Sequence, residues 1–191
     1  MTVSEPRTTT SGVEIAGYVA GTWDVDPVHS DVSIVVRHLG LTRFRRSFRK
    51  FRGEFVTAEN PLDSTVTASI DMSSLDTGLE TFDRHLRSAD YFDVDNHPTA
   101  RFRSTGVRPR GERFGMDGEL TLRGVTRPVT LDVELLGFGV GMNGEQKAAF
   151  SAGTTVNRHD FGITFDGRLA DGRLIVGNEV RVLLEIEAVA R

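Results

Sequence analysis

The chain has 191 residues with 27 acidic and 23 basic side chains, a net charge of −4, and is the size of one ordinary domain. The absence of cysteine excludes disulfides, thiolate metal sites and thiol catalysis. An acidic balance, with a pI near 5.7, argues against a dedicated nucleic-acid domain, so any basic cluster acts locally.

From the N-terminus, residues 1–15 are Ser/Thr-rich and weakly apolar, which predicts a flexible arm ahead of a single domain over 16–191. No apolar stretch stands behind a cationic start, so no signal peptide is expected and the predicted location is cytoplasmic. No run approaches the ~20 apolar residues that span a bilayer, so stable membrane insertion is not expected. In Asp26-Pro27-Val28-His29-Ser30 the proline reads as a turn into a strand, with His29 or Ser30 bonding local backbone. Asp26 orienting His29 as a base is the catalytic alternative.

Beyond this turn apolar residues recur at every second position, as in strands with one enclosed face. Val32, Ile34 and Val36 share a face, and His38 follows on it. The segment TRFRRSFRKFRG (42–53) holds six cations and three phenylalanines among twelve residues. Rings interleaved with cations suit single-stranded nucleic acid only if both lie on one surface. Strand alternation separates them: Phe44 and Phe48 turn inward, and Arg43, Arg45 and Arg49 turn to water. Arg46 shares the phenylalanine face, which predicts either a bulge or an arginine directed at the interior or its mouth.

Further on, Val66, Ala68, Ile70 and Met72 alternate, and then the period changes. Leu79, Phe82 and Leu86 stand at i, i+3 and i+7, predicting one short helix at about 78–88. Thr77 with Glu80 reads as its capping box and Asp83 with Arg87 as an i,i+4 pair. Period two then resumes through Phe102, through Phe114, Met116, Leu120 and Leu122, and through Val129, Leu131, Val133 and Leu135. It continues in Phe150, Ala152, Thr154 and Val156 and in Val180, Val182, Leu184 and Ile186, about eight or nine strands in all. Turn dipeptides such as Arg123-Gly124 and Asp166-Gly167 punctuate them. Asn157, Arg158 and Asp160 form a polar knot that either fixes a loop or makes a charged mouth.

Many short strands with one apolar face predict an antiparallel all-β fold, a closed up-and-down barrel or else a sandwich. A barrel of about eight strands is wide enough for one small ligand. The five histidines show no metal-ligand spacing, and neither a nucleophile elbow nor a phosphate-cradling glycine motif occurs. No cofactor and no metal are therefore expected.

Four collinear blocks, Trp23–Phe55, Asp83–Phe102, Leu120–Gly137 and Phe150–Ile163, resemble the YceI-like, polyisoprenoid-binding family. The resemblance runs from about Trp23 to Ala188. It implies an extended antiparallel eight-stranded lipocalin-like barrel with a helix, holding a long apolar chain in its lumen. Some members of that family are exported; the absence of a signal sequence here favours a cytoplasmic carrier or store. Where the family often has glycine, this chain has Arg46, a cation able to narrow the lumen or to meet an acidic or phosphate head.

The resulting expectation is non-catalytic binding of an isoprenoid or similar long-chain lipid, with no nucleic-acid partner and with strands that could support a homodimer. The apolar contacts expected are Val36, Phe44, Phe48, Phe102, Phe114, Met116, Leu122, Phe150 and Phe165, with polar ends at His38, Arg46 or Arg158. The rival reading is an enzyme acting on such a ligand, with Asp26, His29 or His38 as acid–base groups.

Overall fold

A chain that alternates apolar and polar residues must enclose one face of every strand, and here it does so by closing a sheet on itself. The computed structural model describes residues 15–191, so the expected arm lies almost wholly outside the described residues. In chain order the strands are β1 (Gly21–Val25), β2 (Asp31–His38), β3 (Thr42–Phe48), β4 (Phe51–Thr57), β5 (Thr65–Asp71) and β6 (Leu75–Asp76). Then come β7 (Thr99–Arg110), β8 (Arg113–Leu122), β9 (Val125–Val140), β10 (Gln146–Asn157) and β11 (Val176–Ala190). Every pairing is antiparallel, and the ring β1–β4–β5–β7–β8–β9–β10–β11 closes through Trp23 opposite Ala190. The fold is thus a closed eight-stranded antiparallel barrel with one helix; closure removes the sandwich alternative.

Strands β2, β3 and β6 continue the wall from the first half of β11. They are separate elements because two walls break, at 26–30 and at 49–50. At the first break the Ser30 hydroxyl accepts from the Glu187 N–H (3.0 Å) and donates to the Glu187 carbonyl (3.1 Å), replacing the interrupted ladder. The β8–β9 hairpin turns on Arg123 and Gly124, whose φ values of 51° and 72° suit a tight two-residue turn.

Helix α1 (Glu80–Arg87) forms inside the expected range, but its predicted start and surface pair do not. Leu79 occupies the cap position with no side-chain bond, and the Asp83 carboxylate instead accepts from the Thr77 N–H at 2.9 Å. Asp83 is buried by that bond, so Arg87 pairs with Glu80, at 3.5 Å, rather than with Asp83. At one end of the barrel Trp23 is wholly buried and stacks on Phe55 at 5.8 Å. Its indole N–H donates to the Thr57 hydroxyl at 2.8 Å, so the ring is buried without an orphaned donor.

Candidate functional site

The inward residues do not fill the barrel. Two chambers of about 170 and 220 Å³ remain, and both touch Val66, Leu131 and Leu184, so they adjoin at mid-barrel. Each exceeds the roughly 150 Å³ at which an apolar cavity stays dry and accepts benzene. The first lies toward Tyr18 and has Phe55, Phe138 and Phe150 in its wall; the second lies beneath α1 and meets Leu86, Tyr91 and Phe92. Both are lined almost entirely by apolar atoms.

A glycine helps keep this space open. A Cβ on Gly118 of β8 would come within 2.4 Å of the Phe102 ring and 2.7 Å of the Arg103 carbonyl. The missing side chain lets the Phe102 ring lie against the wall rather than across the lumen.

Of the expected apolar contacts, Val36, Phe48, Phe102 and Leu122 line the second chamber, and Phe114, Met116 and Phe150 line the first. Phe44 and Phe165 line neither. Phe44 sits at the rim with its ring 5.7 Å from Phe82 of α1. Phe165 is 41% exposed and packs on the outer side of α1, 5.7 Å from His85 and 5.6 Å from Tyr91.

The three polar candidates separate by what their atoms already do. Arg158 is 4% exposed and reaches the second chamber, but all five of its N–H donors are engaged. Nε donates to the Gly177 carbonyl (3.2 Å), and Nη1 to the carbonyls of Ile163 (2.8 Å) and Phe165 (3.0 Å). Nη2 donates to Asp166 (2.6 Å) and Asn178 (2.8 Å). It is the bolt of a loop cover, with no donor left for a head group. The Arg158 hydrogen bond holds the Asp166 carboxyl below its ordinary value. Burial pushes the neighbouring Tyr91 hydroxyl up. Arg123 adds a second tie, donating to the Gly162 carbonyl and, at 2.7 Å, to the Ala89 carbonyl.

Arg46 is different. No bulge interrupts β3 against β2, so Arg46 stands on the inner face directly opposite Ile34. Its guanidinium carbon lies 3.9 Å from the Phe44 ring centroid, and Nη1 donates to its neighbour's carbonyl on Arg45. Among the described residues no carboxylate pairs with it. His38, at the end of β2, is half-buried with its ring 6.4 Å from Phe44.

Asp26 and His29 do meet, at 2.7 Å, and the bond lowers the Asp26 carboxyl. The Asp26 carboxylate also accepts from the Val28 N–H at 2.9 Å, the local turn expected of this segment. The pair lies beside Glu187, which faces away from the lumen, and His29 is 59% exposed. These three side chains could converge on a cation, although Lys147 already holds Glu187 at 2.5 Å. His38 is not brought near them: the length of β2, more than about 20 Å of extended chain, intervenes.

Several wall residues carried no signal in the period. Tyr91 and Phe92 follow the helix in a segment without alternation, and Phe138 falls beyond a bulge that reverses the inward parity of β9.

A closed eight-stranded antiparallel barrel with an apolar lumen and one helix defines the class of chain. Residues 23–188 match the YceI-like domain, and the chain belongs to that family. A UPF0312 protein of Pectobacterium carotovorum is 38% identical over 168 residues, covering 87% of this chain and 84% of that one. Another, from Photorhabdus laumondii, is 38% identical over 144 residues and 75% of each chain. Among solved structures, BcnA of Burkholderia cenocepacia superposes with a TM-score of 0.74 at 23% identity, over 85% of this chain and 98% of that one. A polyisoprenoid binding domain from Saccharophagus degradans superposes with a TM-score of 0.67 at 15% identity, over 88% and 98%. At these identities the superpositions speak to the fold. No helix among the described residues is long and apolar enough to cross a membrane.

Proposed function

We propose that this protein binds a long-chain isoprenoid or similar lipid in the barrel lumen, as a carrier or store, without catalysis. The observation that carries this is the pair of adjoining apolar chambers that inward side chains leave unfilled. Removing about 300 Å² of hydrocarbon from water contributes roughly 7 kcal/mol before ordering costs. A lumen already formed by hydrogen-bonded strands keeps those costs low. The polyisoprenoid-binding relative of the same fold supports the choice of ligand class.

The test is extraction of the purified protein with organic solvent followed by mass spectrometry, with titration of a fluorescent prenyl probe alongside. Recovery of a stoichiometric lipid, or saturable probe binding displaced by prenols, is the expected result. Repeated recovery of no lipid together with no probe binding would overturn the reading.

A further inference from the structure

The wall beside the second chamber has a weak seam at the edge of β3. Among the described residues the outer edge of Thr42–Arg46 in β3 has no strand partner, because β6 pairs only with Ser47 and Phe48. What faces it is α1, through the contact of Phe44 with Phe82. A short helix without a side-chain N-cap is held mainly by its packing, so it is among the parts of the molecule that open most readily. The ladder also stops between β9 and β10, beyond Asp132 opposite Gly153, but that gap is covered by the turn at 158–161, which Arg127 ties down through the Asp160 carbonyl and Arg158 bolts to β11.

Arg46 stands in this seam. Its neighbours in the wall, Ile34 across the strand pair and Phe48 two residues along the same face, both line the second chamber. Its own guanidinium lies just beyond that lining, stacked on Phe44, and apart from one bond to a backbone carbonyl its donors are free among the described residues. A half-buried cation with free donors beside an apolar cavity matches one kind of molecule, an anion with a hydrocarbon tail. Arg158, whose guanidinium does line this chamber, has no donor to offer.

Building on the carrier reading, we propose that the seam between β3 and α1 is the entrance to the lumen and that Arg46 binds the anionic head of the ligand there. The tail lies beneath α1, and the head, a phosphate ester or a carboxylate, rests on the guanidinium stacked over Phe44. The outward Arg43 and Arg45 take no part in head-group binding.

The test compares binding of geranylgeranyl phosphate with geranylgeraniol, and of palmitate with hexadecanol, to the wild-type protein, to Arg46→Gln and to the outward control Arg43→Gln. The expected result is a preference of about tenfold or more for the anion in wild type and in Arg43→Gln, the size of one charge-assisted hydrogen bond. Arg46→Gln should lose that preference while binding the alcohols as before. The phosphate and carboxylate arms then tell which head the site prefers. Equal affinity for anion and alcohol in wild type, or a preference that survives Arg46→Gln, overturns the head-group site and leaves the carrier reading standing. Failure of every ligand to bind overturns both. The entrance has its own readout: Phe82→Leu, which thins the seam, should speed probe loading several-fold with the melting temperature nearly unchanged. An unchanged loading rate would remove the seam as the route.

Discussion

The two ends of this barrel are closed by different chemistry. Around Trp23 the closure is aromatic, with Phe55 and Phe138 against the indole and a single buried hydrogen bond to Thr57. At the far end the closure is polar: Arg158 ties the loop at Ile163 and Phe165 to the start of β11 by their carbonyls, and α1 rests on the rim through Phe82 and Leu86. Aromatic packing on the strands that close the ring yields a floor whose opening would disrupt the barrel itself. A hydrogen-bonded bolt beside a marginal helix yields a cover that can open while the ring of strands stays intact.

Substitutions at the two ends should separate them. Trp23→Ala is expected to cost the most, about 3–5 kcal/mol of unfolding free energy in urea denaturation, because the cavity has no neighbours free to collapse into it. Arg158→Met comes next, at about 3 kcal/mol, since it strands the carbonyls of Ile163, Phe165 and Gly177 and leaves Asp166 only His159 and the exposed Arg168 as partners. Hydrogen exchange gives the sharper reading of that variant. Faster exchange confined to 80–92 and 158–178 supports a separable cover, whereas uniform loss across β1 and β4 would merge the two ends into one unit.

Gly118→Ala should cost about 1–3 kcal/mol by overpacking, and it should also push Phe102 into the second chamber. The expected signature is weaker binding of long prenyl chains with little change for short ones, measured by probe displacement across a chain-length series. Acid is expected to have the smallest effect. The Asp166 carboxyl is lowered in the folded protein, so its contribution is complete above its unfolded value near 3.8 and is lost as pH falls through the lower folded value. Below about pH 4, then, amides near Arg158 should lose protection before the fluorescence of Trp23 shifts. The reverse order would show that the aromatic end, not the polar one, is the weaker.

The barrel wall was legible because enclosure of one face imposes a period of two, and the faces read from β2, β5, β8, β10 and β11 are the faces that turn inward. The interruptions were not legible. The break between β1 and β2 depends on the Ser30 hydroxyl finding Glu187, 157 residues away in the chain. Arg158 and Arg46 look alike as letters, and what distinguishes them is convergence. Five acceptors surround the first, drawn from a turn and from positions 8 and 20 residues on, while one carbonyl meets the second. Phe165 carried the same expectation as Phe150, yet it lies in a stretch without alternation, where nothing ties a ring to the inside. Gly118 went unremarked in the apolar stripe of β8, and its missing side chain leaves room for the Phe102 ring.

Arg123 couples pieces of the cover that are far apart in the chain. From the turn between β8 and β9 it grips Gly162 on one loop and Ala89, next to the helix, on another. Neither segment can lift away while that double grip holds. The two pieces of the cover are thereby linked through a single side chain that is seated on a hairpin.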